Sequence, residues 1–235
     1  MALKDELEEA VTTTLRDPWD ERDGRGVPDV EDLALGNAGV RLNATVLYAD
    51  MSGSTALVDA FASVPRFPAE IYKCYLTCAA KIIKDQGGVI RAYDGDRIMA
   101  VFIGSSKNSS AAWAGLKINY AVTQVINPRI EAYYPQVTYR LAHVVGIDTG
   151  PLFAARIGVR NDNDLVWVGR AANYAAKLTD ISEANTVFIT DDVFNSLDLA
   201  MKYSPDERKE LMWKPRTWVT KGNMAIHSST WWWKV

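Results

Sequence analysis

Residues 44–55 read Ala-Thr-Val-Leu-Tyr-Ala-Asp-Met-Ser-Gly-Ser-Thr, an apolar run that ends in a turn of small residues. The run predicts a buried β-strand with Asp50 near its end, and Ser52-Gly53-Ser54-Thr55 predicts a turn that opens a helix. A carboxylate at a strand end can hold a divalent cation, and free amides in the following turn can face a phosphate. The competing interpretation is that Asp50 only caps the helix. The stretch predicts a strand-to-helix junction with the outline of a polyphosphate site.

A second group of carboxylates lies in a predicted hairpin. Two β-type runs, residues 89–94 and 97–102, flank Asp94-Gly95-Asp96, which is typical of a tight turn. Alone, this tripeptide is more often a turn than a site. Oxygen ligands from two separate strand ends are what a Mg²⁺ or Mn²⁺ site needs, and one such pair can bridge two ions. Asp50 and Asp96 together are therefore the candidate metal ligands.

A third segment, residues 168–178, reads Val-Gly-Arg-Ala-Ala-Asn-Tyr-Ala-Ala-Lys-Leu and predicts a helix. Asn173 and Lys177 are four residues apart, so they project from one face, where an amide and a cation could meet one oxyanion. The competing interpretation is a solvated polar face.

Strands and helices are intermixed along the rest of the chain, with several hairpins. The pattern predicts an α+β fold in which a mostly antiparallel sheet is flanked by helices. The remaining elements are expected as follows: helices over residues 4–15, 69–86, 111–126 (ending before Pro128) and 170–181, a strand pair around Thr149-Gly150, a strand at 187–190, and edge strands in 211–220 and 230–235.

The 235 residues fit one elaborated domain or two small ones. The three segments are spread over one continuous stretch of the chain and decide for one: an N-terminal arm over residues 1–40 and a single domain with a β-rich C-terminal extension over residues 41–235. We expect Trp231-Trp232-Trp233 to be buried on an edge strand or in a dimer interface. Cys74, Cys78 and His143 are expected to be core residues without a catalytic role.

Charge and hydropathy limit the partners. Lys plus Arg number 26 against 29 for Asp plus Glu, so no excess of positive charge favours nucleic acid. No apolar stretch reaches the length of a membrane span, and the N-terminus lacks the pattern of a signal peptide. We expect a cytoplasmic protein that binds neither nucleic acid nor membrane.

In this order, the three segments resemble the catalytic domain of class III nucleotide cyclases. YADMSGST, GGVIRAYDGDRIMAVF, GIDTGPLFAARIG and VGRAANYAAKL correspond to the family's successive motifs, and the match covers about residues 44–190. The resemblance implies a ferredoxin-like fold that is active as a head-to-tail homodimer, with one set of site residues from each subunit.

The same resemblance implies roles for single residues. Asp50 and Asp96, helped by the Met51 carbonyl, would bind two Mn²⁺ or Mg²⁺ ions per active site. The turn from Ser52 through Gly53 and Ser54 to Thr55 would hold the β- and γ-phosphates, and Asn173 would orient the ribose. Lys177 stands where the family has its transition-state arginine. Arg97 or Arg170 could share that task.

The residues that select a purine base in the family are missing. Its adenine-selecting lysine falls at Ala92, and the partner aspartate falls at Val166. Three further residues differ around the same pocket: Tyr48 replaces a phenylalanine, Asp94 stands at an aliphatic position, and Trp167 precedes the Val168-Gly169 step. These side chains indicate a smaller, differently polarised base pocket.

The combination is similar to the pyrimidine cyclases of the Pycsar antiphage defence system. That similarity implies conversion of UTP, or less favourably CTP, to a 3′,5′-cyclic nucleotide that activates a separate cyclic-nucleotide-responsive effector. Two alternatives remain: an adenylate cyclase with an atypical base pocket, and a catalytically degenerate nucleotide-binding domain.

Overall fold

The structure, a computed structural model, describes residues 2–235, and within this range nine strands form one sheet. In chain order they are β1 (Asp20–Asp23), β2 (Ala38–Ser52), β3 (Val89–Asp94), β4 (Arg97–Phe102), β5 (Ala142–Val159), β6 (Asp162–Val168), β7 (Thr186–Thr190), β8 (Lys214–Trp218) and β9 (Met224–Ser229).

The two longest strands, β2 and β5, lie side by side at the centre of the sheet. The order is β3-β4-β2-β5-β7-β9-β8, with β1 added to β2 and β6 added to β5. Two pairs, β1 with β2 and β5 with β7, are parallel, and the other pairs are antiparallel. The predicted mostly antiparallel sheet is therefore confirmed.

Helices cover both faces of the sheet. The α-helices of the described residues are α1 (Leu3–Arg16), α2 (Ser54–Ala60), α3 (Arg66–Asp85), α4 (Lys107–Tyr120), α5 (Asn127–Tyr133), α6 (Arg170–Leu178), α7 (Asp191–Asn195) and α8 (Leu199–Lys202). Side chains alternate across β2, so Leu47, Ala49 and Met51 pack with α3 and α4, whereas Leu42 and Ala44 pack with α6. The helices of residues 2–235 include none that is both long enough and apolar enough to span a bilayer.

Gly146 on β5 lets α6 lie close to the sheet. A Cβ atom at this position would come within 2.1 Å of the Ala175 carbonyl oxygen and 2.7 Å of Leu178 Cβ. Because only glycine lacks that atom, Gly146 allows the short packing distance between α6 and β5. This contact also sets the position of the side chains that α6 presents to solvent.

The structure confirms the hairpin of β3 and β4, but the strand pair expected around Thr149-Gly150 is wrong. β5 runs unbroken through Gly150, which pairs with Ala44 of β2. The turn comes later, at Asn161, whose φ of 76° is one that asparagine tolerates, and β6 follows it.

Two further expectations about the elements are also wrong. The helix expected to end before Pro128 continues: α4 passes through a π-helical turn, Ala121–Ile126, into α5. Pro128 lies in the first turn of α5, where a missing N–H does least harm. Residues 230–235 form no strand, since the last strand is β9.

Single side chains follow the expectations only in part. His143 is fully buried, as expected, whereas Cys74 is exposed on α3 and is not a core residue. Trp231 and Trp233 are partly buried against the larger core, and Trp232 is 46% exposed.

The N-terminal arm adds to the same sheet. β1 pairs with the start of β2, and Leu33 is buried beside Val40. Arg91 of β3 donates hydrogen bonds to the Pro28 carbonyl (2.7 Å) and to Asp29 (2.8 Å). β2 begins at Ala38, just before the boundary expected at residue 40, and the division into arm and domain stays a prediction.

Candidate active site

Asp50 lies at the end of β2, on the face of the sheet that α6 covers. Its residue partners are Arg97 on β4 and Val144 on β5. The carboxyl is half-buried, and burial together with the nearby charge of Asp96 raises its pKa to about 6, against a smaller lowering by Arg97. A carboxylate that is partly desolvated and close to a like charge favours binding of a cation.

The turn between β3 and β4 brings Asp96 to this strand end. Gly95 has φ 61°, which the tight turn requires. Arg97 donates a hydrogen bond to Asp94 (3.1 Å), and its guanidinium lies 5.3 Å from the centroid of the Tyr48 ring. Burial raises the pKa of the Tyr48 hydroxyl. Arg97 therefore neutralises Asp94 and covers Tyr48, and within residues 2–235 the half-buried Asp50 and Asp96 have no salt-bridge partner.

The residues from Ser52 to Thr55 form the predicted turn. Gly53 adopts φ 72° and directly precedes α2, and its carbonyl accepts the first helical hydrogen bond, from Leu57 N (3.0 Å). Gly53 and Thr55 are exposed, and Ser52 and Ser54 are half-buried. The turn is open to solvent directly beside the carboxylate pair.

Asn173 and Lys177 lie on α6, and both are exposed. The helix begins after Gly169, where a Cβ atom would come within 2.7 Å of the Pro151 carbonyl oxygen. Asp180, two residues past the end of α6, is close enough for its charge to raise the pKa of Asp50. The end of α6 is thus a neighbour of the β2 end, a relation that sequence reasoning does not give.

Lys221 is a basic residue of this region that the sequence patterns missed. It lies between β8 and β9, and the nearby amino group of Lys177 lowers the pKa of Lys221. Both lysines line a cavity of about 600 Å³ together with Asp180, Arg216 and Trp218. In the sequence Lys221 is only a lysine before Gly222, and it has no apparent role until the sheet brings it to α6.

Arg170, the other candidate to share the role of Lys177, serves as an anchor. Its Nε atom lies 3.3 Å from a carboxylate oxygen of Asp148, whose side chain is fully buried, and it also pairs with Asp192. Burial raises the pKa of Asp148, and Thr190 donates a hydrogen bond of 2.5 Å to it. These contacts fix the first turn of α6 to β5 and α7.

Comparison with known proteins identifies the fold. A family model described as the adenylate and guanylate cyclase catalytic domain matches residues 40–230. The chain belongs to this family. Proteins named uridylate cyclase from Xanthomonas perforans and Burkholderia cepacia are 47% and 49% identical to it, and each match covers 100% of both chains. The crystal structure of the adenylyl cyclase CyaB from P. aeruginosa aligns with a TM-score of 0.68 at 22% identity, over 81% of this chain and 95% of that one.

The family assignment confirms the predicted class III cyclase fold and the prediction of a nucleotide cyclase. In the cyclase, Ala92 and Val166 stand at the positions predicted for the family's adenine-selecting lysine and its partner aspartate. Ala92 and the half-buried rings of Tyr48 and Trp167 pack against the core cluster that lies between the sheet and α6. In the strand register Tyr48 lies opposite Gly146 and Trp167 lies opposite Ala154, so the two rings are eight positions apart along β5.

Within residues 2–235, no group of three or more His, Cys, Asp and Glu side chains converges as a metal site. Asp50 and Asp96 form a pair. A bound ion would need further oxygen ligands from main-chain carbonyls, water or a phosphate.

Proposed function

We propose that this cyclase is a uridylate cyclase, which converts UTP to 3′,5′-cyclic UMP and pyrophosphate. The observation that carries the proposal is the sequence identity of 47% and 49% to two proteins named uridylate cyclase, over the whole length of the chain. The base-pocket residues support the same substrate class.

A purine has no hydrogen-bonding partner at the two positions that select it in the wider family. Ala92 and Val166 are apolar, so a purine's ring nitrogens and exocyclic group would lose their solvent hydrogen bonds there without replacement. Tyr48 and Ala92 both lie opposite Met99 of β4, and the Tyr48 ring takes up space there, which favours a single-ring base. UTP is preferred over CTP on the names of the relatives.

Asp50, Asp96 and the Met51 carbonyl are the proposed ligands of two Mg²⁺ or Mn²⁺ ions. The donor set fits, since these are hard oxygen ligands. The charge of Asp96 also raises the pKa of Asp50, so a cation bound between the two carboxylates would be favoured. Bound divalent ions would lower the pKa of the attacking hydroxyl and neutralise phosphate charge.

The chain's own residues would orient the substrate. Main-chain amides and hydroxyls from Ser52 to Thr55 would hold the β- and γ-phosphates, and Asn173 would fix the ribose so that its O3′ faces the α-phosphorus. The O3′–P bond forms as the bond from phosphorus to pyrophosphate breaks, and the hydroxyl proton leaves to solvent. Lys177, with Lys221 beside it, would stabilise the charge that grows on the phosphate oxygens.

A head-to-tail homodimer completes the proposed site. Asn173 and Lys177 are exposed and free to meet the strand end of a second copy, which supports two composite sites per dimer.

The proposed biological role is antiphage signalling. The similarity to Pycsar pyrimidine cyclases supports a messenger that is made in the cytoplasm on infection and received by a separate effector protein.

The deciding experiment incubates the purified cyclase with ATP, GTP, CTP or UTP and Mn²⁺, and identifies products by mass spectrometry. We expect cyclic UMP as the main product and none from an Asp96→Ala variant. Preference for ATP would favour an adenylate cyclase, and no product from any nucleotide would favour a degenerate domain.

A further inference from the structure

A buried chain of polar side chains lies behind the end of β2, on the face opposite Asp50. The Tyr75 hydroxyl is 3.4 Å from His143 Nδ1, and His143 Nε2 is 3.3 Å from Asn119 Oδ1. The three side chains are at most 1% exposed, and Tyr75 belongs to the larger core cluster. Because these polar groups lose their hydrogen bonds to water on burial, leaving any of them unpaired would be costly, and each must find a partner of the right donor or acceptor type.

The chain ends at the C-terminal segment. Asn119 Nδ2 donates to the carbonyls of Thr230 (3.1 Å) and Trp231 (2.9 Å). Two contacts hold this segment on α4: Trp233 N donates to the Leu116 carbonyl (3.1 Å), and the Trp233 ring lies 4.3 Å from the Trp113 ring. Residues 230–233 are called the C-terminal strap below.

The strap sets the direction of the hydrogen bonds that join Asn119, His143 and Tyr75. Carbonyl oxygens only accept, so the NH₂ of Asn119 must face the strap and its oxygen must face His143. The Nε2 atom of His143 then carries the proton, and Nδ1 accepts from Tyr75. The imidazole is neutral, since burial lowers the pKa of His143 to about 3.

The other end of the chain lies beneath the strand that carries the proposed metal ligands. His143 is the cross-strand partner of Met51, and Met51 and Tyr75 belong to one core cluster. The charges of Asp50 and Asp96 reach the Tyr75 hydroxyl and add to the rise in its pKa that burial causes.

We propose that the C-terminal strap, through Asn119, fixes the tautomer of His143 and the direction of the Tyr75 hydroxyl, and so positions the β2 end that carries Asp50 and Met51. His143 and Tyr75 are positioning residues in this scheme. The importance of that strand end for catalysis rests on the proposed function, but the orientation of the chain does not.

The test uses ¹⁵N-labelled protein, because the sequence has only two histidines, His143 and His227. Two-bond ¹H–¹⁵N correlation spectra report the tautomer, and a His227→Gln variant assigns the signals. We expect the full-length protein to show His143 with the proton on Nε2 alone. In a variant that ends at Ser229, the Asn119 amide can rotate, so we expect both tautomers, together with shifted amide resonances of Asp50 and Met51.

A second variant, Asn119→Ala, removes the link without shortening the chain, in case the truncated protein does not fold. Trp232→Ala is the control, since its exposed ring is not part of the link and the strap carbonyls remain. An Nδ1 proton in the full-length protein, or an unchanged tautomer in both folded variants, would overturn the proposal.

Mn²⁺ affinity of the same proteins separates this proposal from the proposed function. Loss of a supporting hydrogen-bond partner should weaken Mn²⁺ binding by about 10-fold. Unchanged affinity with a changed tautomer would refute the coupling to the strand end. Failure of the full-length protein to bind Mn²⁺ would refute the metal role of Asp50 instead, while the tautomer spectra still judge the strap.

Discussion

Arg97 lies directly across the strand pair from Asp50, but its guanidinium bonds Asp94 rather than Asp50. The cation closest in the sheet register is therefore committed elsewhere, and the carboxyl of Asp50 keeps a raised pKa. The strand end has the electrostatic character of a site built for an external positive charge.

The first prediction concerns the cost of this arrangement in the absence of metal. Asp50→Asn should stabilise the metal-free protein by about 1 kcal/mol, less than the pKa shift alone would give because the carboxyl is half exposed. The same change should abolish cyclase activity. Thermal unfolding and turnover measure the two effects, with Asp59→Asn, an exposed carboxylate on α2, as the control. A lower melting temperature for Asp50→Asn would contradict the electrostatic argument.

Mixing two inactive variants tests the composite site. Asp50→Ala and Asn173→Ala should each be inactive, but a heterodimer of the two keeps one site with both residues intact. Free exchange should restore about one quarter of wild-type activity, since about half the dimers are mixed and each has one intact site of two. A mixture as inactive as its components would place both residues of a site in one subunit.

The paired lysines predict separable kinetic effects. Lys177→Met should lower kcat by about 100-fold, because its charge is needed in the transition state. Lys221→Met should mainly raise KM, since it adds positive charge beside Lys177 without taking the family's catalytic position. Steady-state kinetics with UTP distinguish the two, and Lys214→Met on the exposed edge of β8 is the control. An unchanged KM for Lys221→Met would show that Lys221 does not contribute to substrate binding.

The close packing of α6 on β5 predicts that Gly146→Ala is destabilising. The added Cβ would overlap the Ala175 carbonyl, so we expect a loss of about 3 kcal/mol and displacement of Asn173 with α6. Gly26→Ala, where a Cβ meets nothing within 4 Å, should leave stability and activity unchanged. Chemical denaturation of both variants provides the comparison, and equal midpoints would disprove the steric argument.

His143 predicts the shape of the acid limb of stability. Its pKa falls from 6.5 to about 3 on burial, so only the unfolded state takes up a proton between these values, and stability is lost as pH falls through that window. The slope due to this residue should approach about 1.4 kcal/mol per pH unit. His143→Gln should flatten the curve. Parallel curves for wild type and His143→Gln would count against a neutral buried imidazole.

Local chemistry made some elements readable from the sequence. Asp94-Gly95-Asp96 was predicted correctly because Gly95 adopts the left-handed conformation that such a turn needs. The same logic failed at Thr149-Gly150, because β2 pairs with β5 beyond Gly150 and outweighs the local turn signal. Lys221 was missed because its partner Lys177 is distant in the chain, and the strap was misread as a strand because its carbonyls serve a side chain, Asn119.

The central pairing of β2 with β5 also bears on how the molecule folds. Thr45 and Thr149 hydrogen-bond across that pair although they are 104 positions apart in the chain. Such a contact forms only after a long loop closes, so folding should be slow and governed by topology rather than by local helix formation. During synthesis, β2 emerges long before β5, and for that interval its apolar edge is open to aggregation or to a chaperone.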